Sequence, residues 1–291
     1  MKPPPFDYVL AESVEDAISA LAGAGSDAKI IAGGQSLVPM LNFRLLKPSV
    51  LVDVNAISDL SFIKDDGDTV RIGALTRHRR LETSPLIARC FPVMAEAMGY
   101  VAHLAIRNRG TIGGSLAHAD PAAELPMLAL LFDAELHTAS SSGGRRITAR
   151  DFFLGALTVD LAADELVTEI HIPKLPVSSG WGFAEVARRG GDFALAAVAT
   201  VLSVTDGTIT AARIGMMGIG DTPQRATEAE TLLVGQRVEP STLATLSGAV
   251  REAVTPNTDA HASADYRRHL VGILAQRTVM AAWQRATGPD A

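Results

Sequence analysis

The feature that most limits what this chain can become is a pair of glycine turns. They read Ile30-Ile31-Ala32-Gly33-Gly34-Gln35-Ser36-Leu37 and Arg109-Gly110-Thr111-Ile112-Gly113-Gly114-Ser115-Leu116-Ala117. Each follows or breaks an apolar segment. Without a Cβ, glycine reaches positive φ and lets another backbone or a ligand come close. Successive N–H groups left open in such a turn form a concavity suited to an anion such as a pyrophosphate. The hydroxyls of Ser36, Thr111 and Ser115 add neutral donors. One Gly-Gly after a strand is an ordinary tight turn, whereas two with flanking hydroxyls lean toward a ligand. The familiar phosphate motifs are absent: there is no G-x-x-x-x-G-K-[ST], and Gly218-Ile219-Gly220 is followed by Pro223 where a third glycine is required. A dinucleotide held here needs another architecture.

Hydrophobic periodicity places the turns among short elements. Ser13 is an N-cap for a helix carrying Ala17 and Leu21 on one face, with Glu15 and Asp16 at its positive end, and Gly23 to Ser26 stops it. Ala28 to Ala32 and Val50 to Val54 read as strands, so the first 57 residues form a small α-β-loop-β unit. Thr69 to Ala74, Leu136 to Thr138 and Leu166 to Ile172 add strands. His78 to Ala88 and Val93 to Ala102 are helical, interrupted by Pro85 and Pro92. Residues 173–180, Pro-Lys-Leu-Pro-Val-Ser-Ser-Gly, suit an interdomain crossing. Beyond it, Phe193 to Val204 and Ile209 to Ile214 form a hairpin turned by Asp206-Gly207, and two or three helices follow, the last over Asp265 to Arg285.

Composition removes several classes of function. With 47% hydrophobic and 20% charged residues, the chain buries a core and is not largely disordered. Its 291 residues suffice for about two domains at roughly 150 residues each. Acidic residues outnumber basic ones 32 to 26, for a net charge of −6, which argues against a nucleic-acid binder held by phosphate contacts. The one cysteine, Cys90, cannot form an internal disulfide, a zinc ribbon or an iron–sulfur cluster, and reads as a small buried hydrophobe. Any cluster must come from another chain. Met1 to Phe6 has no apolar signal core, and the longest largely apolar stretch, Phe193 to Val204, falls short of the roughly 20 residues a membrane span needs. A soluble, cytoplasmic protein with no transmembrane segment is expected.

Ala32-Gly33-Gly34-Gln35-Ser36 and the run from Thr111 to Glu124, Thr-Ile-Gly-Gly-Ser-Leu-Ala-His-Ala-Asp-Pro-Ala-Ala-Glu, resemble the two FAD signatures of the medium, flavoprotein subunit of the molybdenum hydroxylases. That family includes the carbon monoxide dehydrogenase medium chain and the flavin domain of xanthine dehydrogenase. Arg107-Asn108-Arg109-Gly110 and Gly191-Asp192-Phe193-Ala194-Leu195-Ala196 match as well, and the likeness runs through essentially the whole chain. It implies an α+β fold: a two-part PCMH-type FAD-binding domain over residues 1–176 (subdomains about 1–57 and 58–176), then a smaller C-terminal α/β domain of the CO dehydrogenase flavoprotein type over 177–291.

The resemblance also implies roles. Ile30, Ile31, Ala32, Gly33, Gly34, Gln35, Ser36 and Leu37 wrap one side of the FAD pyrophosphate; Gly110, Thr111, Gly113, Gly114 and Ser115 hold the other. Glu124 matches the acidic partner of the ribityl or ribose hydroxyls, a place where the family often has Asp. Val101 and His118 line the flavin cleft, and Leu166 touches the adenine or ring region. Phe193 stands where the carbon monoxide enzyme has a tyrosine beside the flavin, keeping the apolar contact without the hydroxyl. Glu185 falls where several members direct a lysine toward the cofactor; a carboxylate does not carry that role over. No protein catalytic residue and no metal ligand set is implied in this chain.

The activity implied is electron transfer in an oxidoreductase assembly. A large molybdopterin subunit oxidises substrate, a small [2Fe-2S] subunit passes electrons on, and FAD held here hands them to an external acceptor such as a quinone, NAD or oxygen. The assembly implied is a dimer of heterotrimers. Two alternatives stay open: a self-contained FAD-dependent oxidoreductase on the same fold, or a non-catalytic nucleotide-binding module. Among other constellations, His118-Ala119-Asp120 lacks a third metal ligand, Arg107 and Arg109 suit either a diphosphate or a solvated face, and Arg77-His78-Arg79-Arg80 reads as a surface basic run.

Overall fold

The computed structural model describes residues 2–288. Met1 and residues 289–291, the outer ends of the two expected domains, lie outside the described residues.

At the N-terminal end a capping box starts the first helix, Val14–Ala24. Ser13 Oγ accepts from Asp16 N at 3.0 Å and Asp16 Oδ2 accepts from Ser13 N at 3.0 Å. Its apolar face, Ala17 and Leu21, is buried against a three-stranded parallel sheet. The strands are Asp7–Leu10, Val50–Asp53 and Ala28–Ile31, side by side in that order. Asp7–Leu10, preceded by prolines and exposed along its length, gives no alternation, which is why the sequence hides it. The stretch expected as a loop after the first glycine turn carries a short helix, Leu37–Asn42.

The second unit is built on a five-stranded antiparallel sheet. Its order is Ile63–Asp66, Thr69–Gly73, Leu166–Pro173, Glu135–Ala139, Arg146–Thr148. Val70, Ile72, Leu136, Ile170 and Ile172 point to one face, where they form a core with short helices. The prolines read as interruptions are helix starts instead: Pro85–Cys90 and Pro92–Ala97 each take proline in the first turn, where its missing N–H costs nothing. The helical stretch ends at Ala97, short of the expected Ala102, which takes φ of 43°. The helix Glu124–Leu131 is apolar all round after its first residue and is buried from Leu125 to Leu131.

The third unit is a four-stranded antiparallel sheet of Gly180–Ala187, Ala194–Thr205, Thr208–Met217 and Gln224–Arg225. The central hairpin turns at Asp206-Gly207, as its sequence dictates, with both residues at positive φ. One face of this sheet supplies Phe183, Ala197, Ala199, Val201 and Met217 to the core of the second unit. The other face packs Ala196, Val198 and Leu202 on the long helix Ala264–Thr287 through Val271, Leu274, Ala275 and Val279. The two faces of one strand therefore serve two cores. The helices Thr227–Leu233 and Pro240–Glu252 complete the unit. No helix among the described residues is long and apolar enough to cross a membrane.

Candidate functional site

The first glycine turn leaves the C-terminal end of strand Ala28–Ile31 and runs into helix Leu37–Asn42. Gln35 Nε2 donates to Gly33 O at 2.6 Å, and Asn55 Nδ2 donates to Ala32 O at 2.7 Å. Gly34 has φ of +71°, a conformation strained for any residue with a Cβ. The turn's carbonyls are used: Val38 N donates to Gly34 O at 3.0 Å and Met40 N to Ser36 O at 3.2 Å. Its donors are not. The main-chain N–H groups of Gly33, Gly34, Gln35, Ser36 and Leu37 donate to no other described residue. A half-buried run of unmatched donors is a place for a negative group.

The second turn is organised differently. Thr111 caps the helix Ile112–His118, its Oγ1 accepting from Gly114 N at 3.1 Å. Ile112 N donates to Thr76 O at 3.0 Å, Gly113 N to Ala74 O at 2.9 Å and Ser115 N to Thr111 O at 3.0 Å. The consecutive free N–H groups expected here are spent inside the protein. What this side presents outward is the exposed Gly114 and the half-buried Ser115. Gly113 is a packing glycine: a Cβ there falls 2.6 Å from Ala74 Cβ.

The two turns touch. A Cβ on Gly33 collides with Arg109 O and lies 2.9 Å from Gly110 Cα, so only glycine allows this approach. A polar chain ties the contact: Arg77 donates to Arg109 O and to Asn55 Oδ1 (2.8 Å), and Asn55 reaches Ala32 O. Asp53 Oδ1 fixes Asn55 by accepting from its N at 2.8 Å and its Nδ2 at 2.6 Å. His78 is buried, with Nε2 placed 3.0 Å from Thr111 O to donate to it. Burial pushes the His78 pKa down to about 4, so the ring is neutral at pH 7.

The surface reading of Arg77 to Arg80 holds for Arg79 and Arg80 and fails for the first two residues. An isolated antiparallel bridge between Arg77 and Thr111 draws Arg77 and His78 inward. Asn55 was missed altogether; its one signal is the Asp-x-Asn pattern at a strand end, which favours a local side-chain turn. Arg107, considered for a diphosphate, is engaged elsewhere: it bonds Glu82 at 3.0 Å and Val101 O at 2.9 Å. Arg109 stays exposed.

The remaining expected residues spread over the three units. Glu124 opens the buried helix, and burial together with Asp120 pushes its pKa up to about 7. Glu185 comes from strand Gly180–Ala187; burial, with a contribution from Glu124, pushes it up to about 8, and its Oε2 is buried without a partner. A carboxyl from the FAD-signature segment thus helps raise one from the C-terminal sheet. His118 is half-buried, its pKa lowered by burial against the opposing pull of Asp120. Gly218 N donates to Pro121 O at 2.9 Å, fastening the C-terminal sheet to the His118–Glu124 segment.

Val101 is buried. The loop Gly190 to Phe193 sits on its neighbours, since a Cβ on Gly191 falls 2.7 Å from His103 Nδ1. Phe193 is 70% exposed at that loop's end, an apolar ring held out of any core. Leu166 is only 6% exposed and belongs to the core beneath the first unit.

This arrangement fits FAD. Donors without acceptors at the first turn suit a pyrophosphate, and glycine surface at the second leaves room for it.

Two family models match the chain: the FAD binding domain in molybdopterin dehydrogenase over residues 4–175, and the CO dehydrogenase flavoprotein C-terminal domain over residues 181–282. The 6-hydroxypseudooxynicotine dehydrogenase complex subunit alpha of Paenarthrobacter nicotinovorans is 44% identical, over 98% of this chain and 97% of that one. Among solved structures, quinoline 2-oxidoreductase from Pseudomonas putida 86 matches with a TM-score of 0.95 and 41% identity, covering 98% of this chain and 99% of the other. Carbon monoxide dehydrogenase from Hydrogenophaga pseudoflava matches with a TM-score of 0.96 and 36% identity, again over 98% and 99%.

Proposed function

This chain belongs to the FAD-binding medium subunits of the molybdenum hydroxylase family, and from that premise we propose that it works as the electron-transfer subunit of a larger oxidoreductase. FAD, when bound, would supply the redox chemistry between [2Fe-2S] clusters and an external acceptor such as a quinone, NAD or oxygen. The clusters belong to a small partner subunit and the molybdopterin centre to a large one, in a dimer of heterotrimers, in the cytoplasm. The single cysteine of this chain accords with that division of labour.

The observation that carries the reading is the main-chain contact between the two glycine turns beside unmatched N–H donors. In this reading Ile30 to Leu37 bind the pyrophosphate through those donors, and Gly110 to Ser115 close the opposite side with bare backbone and a hydroxyl. Arg77 and Asn55 do not bind the cofactor; they hold the turns at the right separation. Glu124 offers its carboxyl to ribityl or ribose hydroxyls, Val101 and His118 line the cleft, Phe193 covers the ring, and Leu166 supports the adenine side from beneath. Residues 1–176 and 177–291 act as the cofactor domain and the domain that closes over it.

Relatives named for carbon monoxide and for quinoline share this fold at TM-scores of 0.96 and 0.95, which supports placing substrate choice on another subunit. The test is a visible spectrum of the purified chain after FAD reconstitution, followed by turnover assays with and without partner subunits. Flavin bands and no turnover of small substrates by the chain alone are expected. Turnover without partners overturns the electron-transfer reading in favour of a self-contained oxidoreductase, and absence of flavin bands overturns both.

A further inference from the structure

The face of the five-stranded sheet turned away from its core carries a cluster that the flavin site does not use. Strands Glu135–Ala139 and Leu166–Pro173 are antiparallel neighbours, and their register sets Glu135 opposite His171 and His137 opposite Glu169. Leu136 and Ile170, between these pairs, point to the core. The register depends on a bulge between Val167 and Glu169. Without it Ile170 faces Glu135, and the histidine loses its place beside that carboxylate. Bulges re-aim side chains in this way, frequently at functional sites.

We propose that Glu135, His137 and His171 form a binding site for a divalent transition metal of the zinc class. Directly opposed side chains on an antiparallel pair have Cβ atoms about 4.5–5.5 Å apart, so the donors converge above the sheet. One carboxylate oxygen of Glu135 and one ring nitrogen from each histidine lie within 4.8 Å of one another. Zinc–ligand bonds of about 2.0–2.2 Å bring such atoms into one coordination shell after small rotamer shifts. The rings of His137 and His171 stack, centroids 3.7 Å apart and 19° from parallel, so both present nitrogen-bearing edges to the same region. His171 Nε2 is buried, with Glu169 Oε1 3.2 Å away, and His137 Nε2 lies 2.7 Å from Glu135 Oε1, so the donors already gather at one point of the sheet.

The surroundings match what metal-binding histidines require. Glu169 is gripped by Arg71, whose Nη2 and Nε donate to Glu169 Oε2 at 2.9 and 3.1 Å, and its Oε1 stands 3.2 Å from His171 Nε2 and 3.9 Å from His137 Nδ1. A fixed carboxylate that accepts from one ring nitrogen orients an imidazole whose other nitrogen ligates a metal, and raises its basicity. Two imidazoles and one carboxylate select zinc-class metals over magnesium or calcium, which take all-oxygen shells. Three protein ligands leave a fourth position for water, and Glu135, 38% exposed at its side chain, keeps an entry path from solvent. The bound ion would staple the two strands together on the sheet's outer face.

The test uses the full chain, stripped with chelator, incubated with zinc chloride, desalted, and assayed for metal by atomic emission. A single tightly held zinc per chain is expected. Magnesium should not displace it, and cobalt(II) should give the visible absorption of a four-coordinate site. His137→Ala and His171→Ala should each lose the zinc, while His261→Ala, on a distant exposed loop, retains it. Glu169→Gln should weaken zinc binding about 10–100-fold. Far-UV circular dichroism and FAD content of the histidine variants should match the unaltered chain, which separates metal loss from misfolding. Failure of the unaltered chain to hold zinc, or equal zinc in the His137 and His171 variants, overturns the proposal.

Discussion

The two glycine turns look alike in sequence and do opposite things with their main chain. The turn at Gly33-Gly34 spends its carbonyls and keeps its N–H groups free; the turn at Gly113-Gly114 spends its N–H groups on Ala74, Thr76 and Thr111. The difference follows from what each enters. The first runs into a six-residue helix with no side-chain cap, so nothing among the described residues satisfies its leading donors. The second enters a helix capped by Thr111 and wedged against the end of a strand. In the proposed function the first turn binds and the second stays put and leaves space, one soft electrostatic wall and one rigid steric wall, with glycine serving each for a different reason.

Substitutions separate the two walls. The largest effect is expected for Gly33→Ala, because its Cβ meets the backbone of Arg109 and Gly110 and forces the turns apart. Overpacking of that kind costs about 1–3 kcal/mol, and both the melting temperature and FAD retention should fall together. A variant with normal FAD content and an unchanged melt would break the claim that the turns are in contact.

Arg77→Ala comes next. It leaves Arg109 O and Asn55 without their charged donor, a smaller loss because the contact is partly exposed, with weaker FAD binding as a consequence. Arg77→Lys should not restore it, since a point charge cannot fork between two acceptors. Full rescue by lysine would show that charge alone matters.

Gly34→Ala and Gly114→Ala sharpen the contrast. At Gly34 a left-handed φ makes any side chain cost about 1–2 kcal/mol, so stability and FAD binding both drop. At Gly114 the added methyl meets the Thr111 hydroxyl, at 2.7 Å, and alanine favours helix, so the loss of stability should be smaller and confined to the Thr111 cap while FAD retention falls. Equal losses of stability at the two positions would remove the distinction between the walls.

The pH response divides along the same line. Glu124 and Glu185 have folded values of about 7 and about 8, above the ordinary 4.5, so the folded state holds protons that the unfolded state has lost. Their contribution is present in full below 4.5 and is lost as pH rises through 7 to 8. His78, behind the rigid wall, runs the other way: its contribution is full above 6.5 and is lost as pH falls through about 4. Thermal melts across this range should show both limbs, and Glu185→Gln should flatten the alkaline one; an unchanged alkaline limb argues that Glu185 is not buried in solution. The smallest effect is expected for Phe193→Tyr, where an exposed ring gains a hydroxyl and FAD stays bound. Loss of FAD in that variant would move Phe193 from the edge of the cleft into its framework.

Much of this was readable along the chain because it depends on local rules. The capping box at Ser13 and Asp16, the Asp206-Gly207 hairpin and the alternation of Thr69 to Ala74 are set by neighbours a few residues apart. The exposed strand Asp7–Leu10 was hidden because alternation appears only when one face is buried. Pro85 and Pro92 misled as breaks because proline's meaning depends on whether a helix begins or continues there.

By itself the sequence determined that two stretches of chain lack side chains and are flanked by hydroxyls, and that no cluster or disulfide can be built from Cys90 alone. Only the folded arrangement decided which stretch keeps its N–H groups, that Asn55 and Arg77 hold both, and that His137 and His171 share a surface. Those outcomes depend mostly on distant partners: Arg77 and Asn55 are 22 residues apart, and Thr168 and His137 are 31. Hydrogen-bond satisfaction and sheet register are settled by the whole chain closing on itself. No window of residues, however well read, contains the acceptor or the bulge that completes them.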